Sequence, residues 1–206
     1  MRCKEGLRST MLATLPLSLM SNSIPSFDHN LVLPPHRGNP TQPADLSPYP
    51  CTSLEFCRRF NSSLERRDIL LGFLTFRTQL RELGLVNGFQ WLDGSFLEDI
   101  ETKENRAPHD LDLVTFYWGY DQVFQKQLLE QLPAFANPPI AKQLYRLDHY
   151  PVDISHNPQV TVEWTRYWTH LFSHTRQGAW KGMLRIDLNT SVEDSVALSE
   201  LQHSSL

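Results

Sequence analysis

Asp110 and Asp112 stand one residue apart inside the apolar run "HDLDLVTFYW", an uncomfortable place for two like charges. On an extended strand, residues two apart project from the same face, so both carboxylates point together while Leu111 and Leu113 turn to the buried side. Carboxylates held side by side repel unless a cation lies between them. Oxygen-only ligation suits Mg²⁺, with Mn²⁺ as a substitute, because such an ion keeps positions open for water and for nucleotide phosphates. A third acid, Asp153, lies between Val152 and Ile154 in "YPVDISH". If its strand neighbours the first pair, three carboxylates converge, and three can hold two metals that position attacking and leaving oxygens in phosphoryl or nucleotidyl transfer. The competing reading of Asp153 is structural: a bond to a helix N-terminus or to Arg146.

Upstream, the apolar run "GFQWLD" ends at Gly94-Ser95. A glycine at a strand end lets backbone approach a phosphate closely, and the serine hydroxyl with neighbouring amides can bind phosphate oxygens. Lys181, in "WKGMLRIDL", could also reach a phosphate, although a strand-edge lysine needs no function. His170 and His174 have the i, i+4 spacing of zinc ligands, but "HLFSH" lacks a third ligand, which favours ordinary surface or core histidines. His109 and His156 adjoin the proposed acids as candidate substrate contacts. Trp164, Tyr167, Trp168, Leu171 and Phe172 read as core rather than as a base-stacking platform. No Gly-x-Ser-x-Gly elbow supports a serine hydrolase.

Several elements must position these residues. Residues 62–83 read as the best helix, with Ser62 and Glu65 at capping-box spacing and Gly84 where a left-handed cap belongs. Residues 88–93 and 110–118 read as strands, 120–132 as a helix stopped by Pro133, 150–156 as a short strand, 162–175 as an aromatic helix, and 180–188 as a final strand. Interleaved helices and strands imply an α/β fold: a small mixed β-sheet with packed helices. The domain spans residues 61–189. It is preceded by a tail over 1–23 and by a proline-rich arm over 24–60, and followed by a polar tail over 190–206 that is at most weakly helical.

At 206 residues the chain suits one domain with extensions. The formal net charge of −4 gives no basic face for tight nonspecific nucleic-acid binding. Three cysteines, Cys3, Cys51 and Cys57, make neither a disulfide framework nor a zinc site, so a reducing cytoplasm is the expected compartment. Basic residues ahead of residues 11–20 imitate a signal peptide, but Thr14, Pro16 and Ser18 interrupt the apolar run and no small-residue cleavage site follows. Translation could equally begin at Met20. No run approaches the ~20 apolar residues of a membrane span.

The order Gly-Ser, loop, Asp-x-Asp between hydrophobics and a later Asp resembles the nucleotidyltransferase superfamily that includes DNA polymerase β. In finer detail the chain is similar to an uncharacterised bacterial branch with a proline-containing arm like "IPSFDHNLVLPP", "WLDGSF", "HDLDLV" and "WKGMLRIDL", a likeness covering residues 24–188. The resemblance implies a minimal nucleotidyltransferase fold, nucleotide contacts at Gly94 and Ser95, metal at Asp110 and Asp112, and Asp153 as third acid. It implies transfer of a nucleoside monophosphate from an NTP to an acceptor such as RNA, a protein or a small molecule, with pyrophosphate released. A noncatalytic alternative keeps the fold as a binding or regulatory module, as in a bacterial toxin–antitoxin or phage-defence pair. One departure stands out: 14 residues separate Ser95 from Asp110, and Glu98, Asp99, Glu101 and Glu104 make this loop acidic enough to repel a phosphate.

Overall fold

The computed structural model describes residues 23–203, so Cys3 and the apolar run at 11–20 lie outside the described residues. In chain order the elements are β1 (Tyr49–Pro50), α1 (Ser53–Phe60), α2 (Leu64–Glu82), β2 (Gly88–Asp93), α3 (Ile100–Glu104), β3 (Leu111–Tyr117), α4 (Gln122–Gln131), α5 (Pro138–Tyr145), β4 (Leu147–Asp153), α6 (Pro158–Phe172), β5 (Leu184–Asp187) and α7 (Ser191–His203). The five strands form one mixed sheet in the order β1-β5-β2-β3-β4, which is the α/β architecture expected from the sequence. β2 runs antiparallel to both β3 and β5, whereas β3 and β4 run parallel.

Period-two alternation sorts the strand residues onto two faces. Leu92, Leu111, Leu113, Leu147, Leu184 and Ile186 join the larger core with α1 and α2, where Phe56, Phe73, Leu74, Phe76 and Leu80 are buried. On the opposite face, Val114, Phe116 and Val152 pack with Trp168 and Phe172 of α6 and with Met183, flanked by Phe89 and Trp91. The sheet is therefore covered on both sides, and the acid face is the α6 face.

The helix ends follow capping chemistry. Ser63, one residue beyond the expected cap, accepts from the Arg66 amide at 3.2 Å and starts α2. At the other end Gly84 adopts φ +90°, the Gly84 amide donates to Arg81 and the Leu85 amide to Leu80, which closes the helix as a Schellman motif. Asn157 caps α6, with Pro158 in its first turn.

The structure differs from the sequence expectation at several boundaries: α6 starts at Pro158 rather than residue 162, β5 at Leu184 rather than residue 180, and three further differences change the packing. The proline-rich arm contains α1, started by a reciprocal Thr52–Glu55 capping box. β4 begins at Leu147 rather than at residue 150, because Arg146 takes the left-handed conformation that ends α5 and feeds straight into the strand. The expected polar tail from residue 190 is α7, which packs on α1 and α2. Its anchor is electrostatic: Asp194 meets Arg77 at 3.1 Å with both side chains buried.

Arg77 also organises a polar ladder through the core. Its Nη1 donates to Gln90 Oε1 at 2.7 Å, Gln90 Nε2 donates to Thr115 Oγ1 at 3.1 Å, and Thr115 meets His149 Nε2 at 2.8 Å. Because Arg77 can only donate, Gln90 must present its oxygen to Arg77 and its amide to Thr115. The Thr115 hydroxyl then donates to His149, whose pKa burial lowers to about 3, so the ring stays neutral. Removing one member of a buried ion pair strands the other. Asp194→Ala should therefore cost about 3–5 kcal/mol of unfolding free energy, measured by chemical denaturation at neutral pH, and should release α7 to proteolysis first.

Candidate functional site

The strand register builds an acidic row. Asp93 of β2 pairs with Asp112 of β3, and Asp112 pairs with Asp148 of β4. Directly paired residues share a face and lie roughly 5 Å apart, so three carboxylates line up across adjacent strands at one end of the sheet. Asp110, two residues before Asp112, extends the same face. Two ammonium groups flank the row. Lys142 of α5 pairs with Asp110 at short range, and Lys181 meets Asp93 at 3.1 Å.

The two lysines differ in kind. Lys181 is 4% exposed, and its three donors go to Asp93, to Glu98 at 3.2 Å and to the Gly94 carbonyl at 3.3 Å. Burial works against its charge, but Asp93 and Glu98 outweigh that and raise its pKa. The Lys142 side chain is 56% exposed, free to swing away.

These cations do not balance the acids. Glu98 is paired with Lys103 and Lys181, Asp93 with Lys181 and Asp110 with Lys142, whereas Asp112 and Asp148 have no ion-pair partner among the described residues, so the Asp110–Asp112–Asp148 end of the row carries excess negative charge. Burial, with Asp110 and Asp148 nearby, pushes the Asp112 carboxyl up to about 6. Burial pushes Asp93 up to about 7 against the pull of Lys181. Lys181 holds one oxygen of Asp93; the other, Oδ1, is buried with no side-chain partner. In donor chemistry, an all-oxygen set with excess negative charge fits Mg²⁺ or Mn²⁺, and Asp110, Asp112 and Asp148 would hold it. Among the described residues, no three His, Cys, Asp or Glu side chains already converge at metal-binding distance.

Gly94 is required by this arrangement. At φ +86° it turns the chain out of β2, and a Cβ there would overlap the Asp112 carboxylate. A short 3-10 turn, Ser95–Leu97, follows, and the Ser95 hydroxyl lines the cleft with no hydrogen bond to another described residue. The acidic loop beyond is not loose charge. Arg66, itself buried, clamps Glu101 at 2.6 Å and the carbonyls of Phe96 and Glu98 at 2.7 Å. Glu98 is neutralised by Lys103 and Lys181, and Glu104 by Arg106 at 2.7 Å. The repulsion expected of this loop is largely spent inside it.

The acid row floors a cleft of about 1280 Å³ whose far wall is aromatic: Tyr150, Trp164, Tyr167 and Trp168. Trp168 and Phe172 are core, as expected, whereas Trp164 is 44% and Tyr167 47% exposed. The expectation that all of these rings are core is corrected for the two outer ones: they lie on the side of α6 turned to the cleft.

Of the residues singled out in the sequence, Gly94, Ser95, Asp110 and Asp112 come together in this cleft. Asp153 does not. It pairs with Tyr117, five positions along β4 from Asp148, an odd number that turns it to the opposite face and a span of roughly 16 Å. There it accepts from Gln125 at 2.9 Å and from Ser155 at 2.7 Å, and those bonds outweigh its burial and lower its pKa. It ends β4 and holds the turn that follows, and Asp148 is the acid of β4 that lies in the row. Lys181 is likewise corrected from a phosphate contact to a buried prop of the Gly94 turn, since all its donors are used. His109 lines the cleft, while His156 sits beside Asp153 at the far end. The His170 and His174 rings are 5.6 Å apart, and His174 packs against Trp180 at 4.2 Å with the rings tilted. Asp148, between Leu147 and His149 in "RLDHY", carried a weaker signal than Asp153 between Val152 and Ile154, and the later expected strand start left it outside the strand.

Residues 25–187 match the model of a family of unknown function, DUF6932, and the chain belongs to that family. No curated protein and no solved structure matches it.

A carboxyl whose pKa is higher folded than unfolded holds its proton more tightly when folded, so stability falls as pH rises from near 4 through about 6. Asp112→Asn removes that penalty. The variant should be more stable than the parent by about 1–3 kcal/mol at pH 7 and lose the advantage at pH 4, in denaturant titrations at both pH values. Mg²⁺ should raise the melting temperature of the parent at pH 7 and leave the variant unchanged.

Proposed function

We propose that this DUF6932 member is a metal-dependent nucleotidyltransferase, moving a nucleoside monophosphate from an NTP to an acceptor hydroxyl. Its main support is the row Asp93–Asp112–Asp148 beside the Gly94 turn, where excess negative charge, a tight positive-φ glycine turn and a wide cleft coincide. Asp110, Asp112 and Asp148 hold the ion. When bound, Mg²⁺ polarises the α-phosphate and offsets the charge that develops on the leaving pyrophosphate. The Ser95 hydroxyl and backbone amide bind phosphate oxygens, and the positive φ of Gly94 brings that backbone close, while the Leu97 and Glu98 amides close the turn itself. Asp148, at the row's outer end, accepts the acceptor's proton as its oxygen bonds to the α-phosphorus and the bond to pyrophosphate breaks. Most of the rate comes from positioning and charge neutralisation rather than covalent chemistry.

A second reading, a noncatalytic binding module, is favoured by one observation: the Lys142 ammonium already sits on Asp110. Under that reading Lys142 is a permanent internal counterion and the site ignores Mg²⁺. Under the catalytic reading it yields to the metal. Lys142→Ala separates them, because it should tighten Mg²⁺ binding, seen by calorimetry, only if ion and lysine compete.

Each labelled NTP incubated with the protein and a cell lysate should give pyrophosphate release and a labelled acceptor. Asp112→Asn and Asp148→Asn should each lower transfer by roughly a hundredfold or more. Asp153→Asn should transfer at the parent rate, since its bonds lie at the other end of β4. Transfer that survives Asp148→Asn but is lost in Asp153→Asn would reverse the assignment.

A further inference from the structure

The cleft wall opposite the acids has features that neither metal nor phosphate binding uses. Trp164, Tyr167, Trp168 and Leu171 recur at i, i+3, i+4 and i+7 on α6, so they share one helix side. The side chain of Trp168 anchors the group: it stacks on Trp164 at 6.3 Å and meets Tyr167 edge-on at 4.9 Å and Tyr150 at 4.9 Å. Tyr150 lies two residues beyond Asp148 on the same strand face, so the aromatic wall begins where the acid row ends. Two large rings, Trp164 and Tyr167, stay about half exposed although nothing in the fold requires it. Trp168 is 4% exposed and backs the group, with its indole nitrogen sealed from solvent. The wall thus offers two exposed rings and lacks a flat apolar partner for them.

From this geometry we infer that the α6 wall is a nucleobase subsite: the base of the NTP packs on Trp164 and Tyr167. The inference rests on the nucleotidyl-transfer reading of the acid row. A base supplies the flat π-face that the wall lacks. A mononucleotide fits better than a nucleic-acid strand, because the cleft floor is acidic and the net charge is −4, which disfavours a run of phosphates.

Calorimetric titration of the full chain with Mg²⁺ tripolyphosphate, and with each of the four Mg²⁺–NTPs, tests this. Tripolyphosphate carries the phosphates without a base. At least one NTP should bind about tenfold tighter than tripolyphosphate, and Trp164→Ala or Tyr167→Ala should remove that margin while leaving tripolyphosphate affinity unchanged. Trp164→Phe, which keeps a ring, should restore most of it. Both side chains are half exposed, so neither substitution opens the core. If the Ala variants bind every NTP as the parent does, the subsite is overturned and the acid-row reading stands. If neither tripolyphosphate nor any NTP binds the parent, the acid-row reading falls and the subsite with it.

Discussion

The site depends on strand register. Asp93, Asp112 and Asp148 belong to three strands separated by long stretches of sequence, and only the pairing of β2 with β3 and of β3 with β4 sets them side by side. A slip of one residue in either pairing would send a carboxylate into the opposite core, among Leu92, Leu111 and Leu147. Hydrophobic burial therefore fixes the charge geometry: apolar residues on both faces leave one register in which every large side chain is covered. The carboxylates are packed close by a force that acts on their neighbours.

The core also stiffens the row from behind. Gln90, Thr115 and His149 come from the same three strands as the acids but point to the α2 side, and their hydrogen bonds run in one direction from Arg77. Each of the three strands thus carries an acid at its end on one face and a ladder member on the other. With His149 neutral, the ladder holds one internal charge, that of Arg77, which Asp194 balances. These bonds tie β3 to both β2 and β4 and resist the sliding that would disperse the acids.

Much of this was legible in the sequence. The helical periodicity and glycine cap of α2, the Gly94-Ser95 turn and the same-face placement of Asp110 and Asp112 follow from local rules and recur in the fold. The third acid was not legible, because β4 carries two acids, Asp148 and Asp153, only Asp153 has apolar residues on both sides, and parity decides between them only once the strand start is known. That start depends on Arg146 adopting a left-handed cap, which a non-glycine residue rarely announces. Asp93 was overlooked for a different reason: beside Gly94-Ser95 it read as a strand end, and its pairing with Asp112 is a tertiary fact. α1 was obscured by the surrounding prolines, although Thr52 and Glu55 spelled a capping box. α7 was obscured because Asp194, polar in sequence, is apolar in effect once Arg77 neutralises it.

The two flanking lysines give the row an asymmetry that composition alone would miss. Lys181 cannot leave: it is buried, three acceptors hold it, and withdrawing it would strand Asp93 and Glu98 without a counterion. Its charge is part of the fold, and it fixes the Gly94 turn against the end of β2. Lys142 rides on a helix end with most of its side chain in water, where an ion pair contributes little to stability and costs little to break. One end of the row is thus permanently neutralised and the other only provisionally. Asp112, between them, bears the residual repulsion, so a cation entering the cleft gains most beside Asp112, on the Lys142 side. That side adjoins Tyr150 and the aromatic wall, which leaves the Gly94 turn to bind phosphate while the outer acids and the α6 rings face whatever enters from solvent.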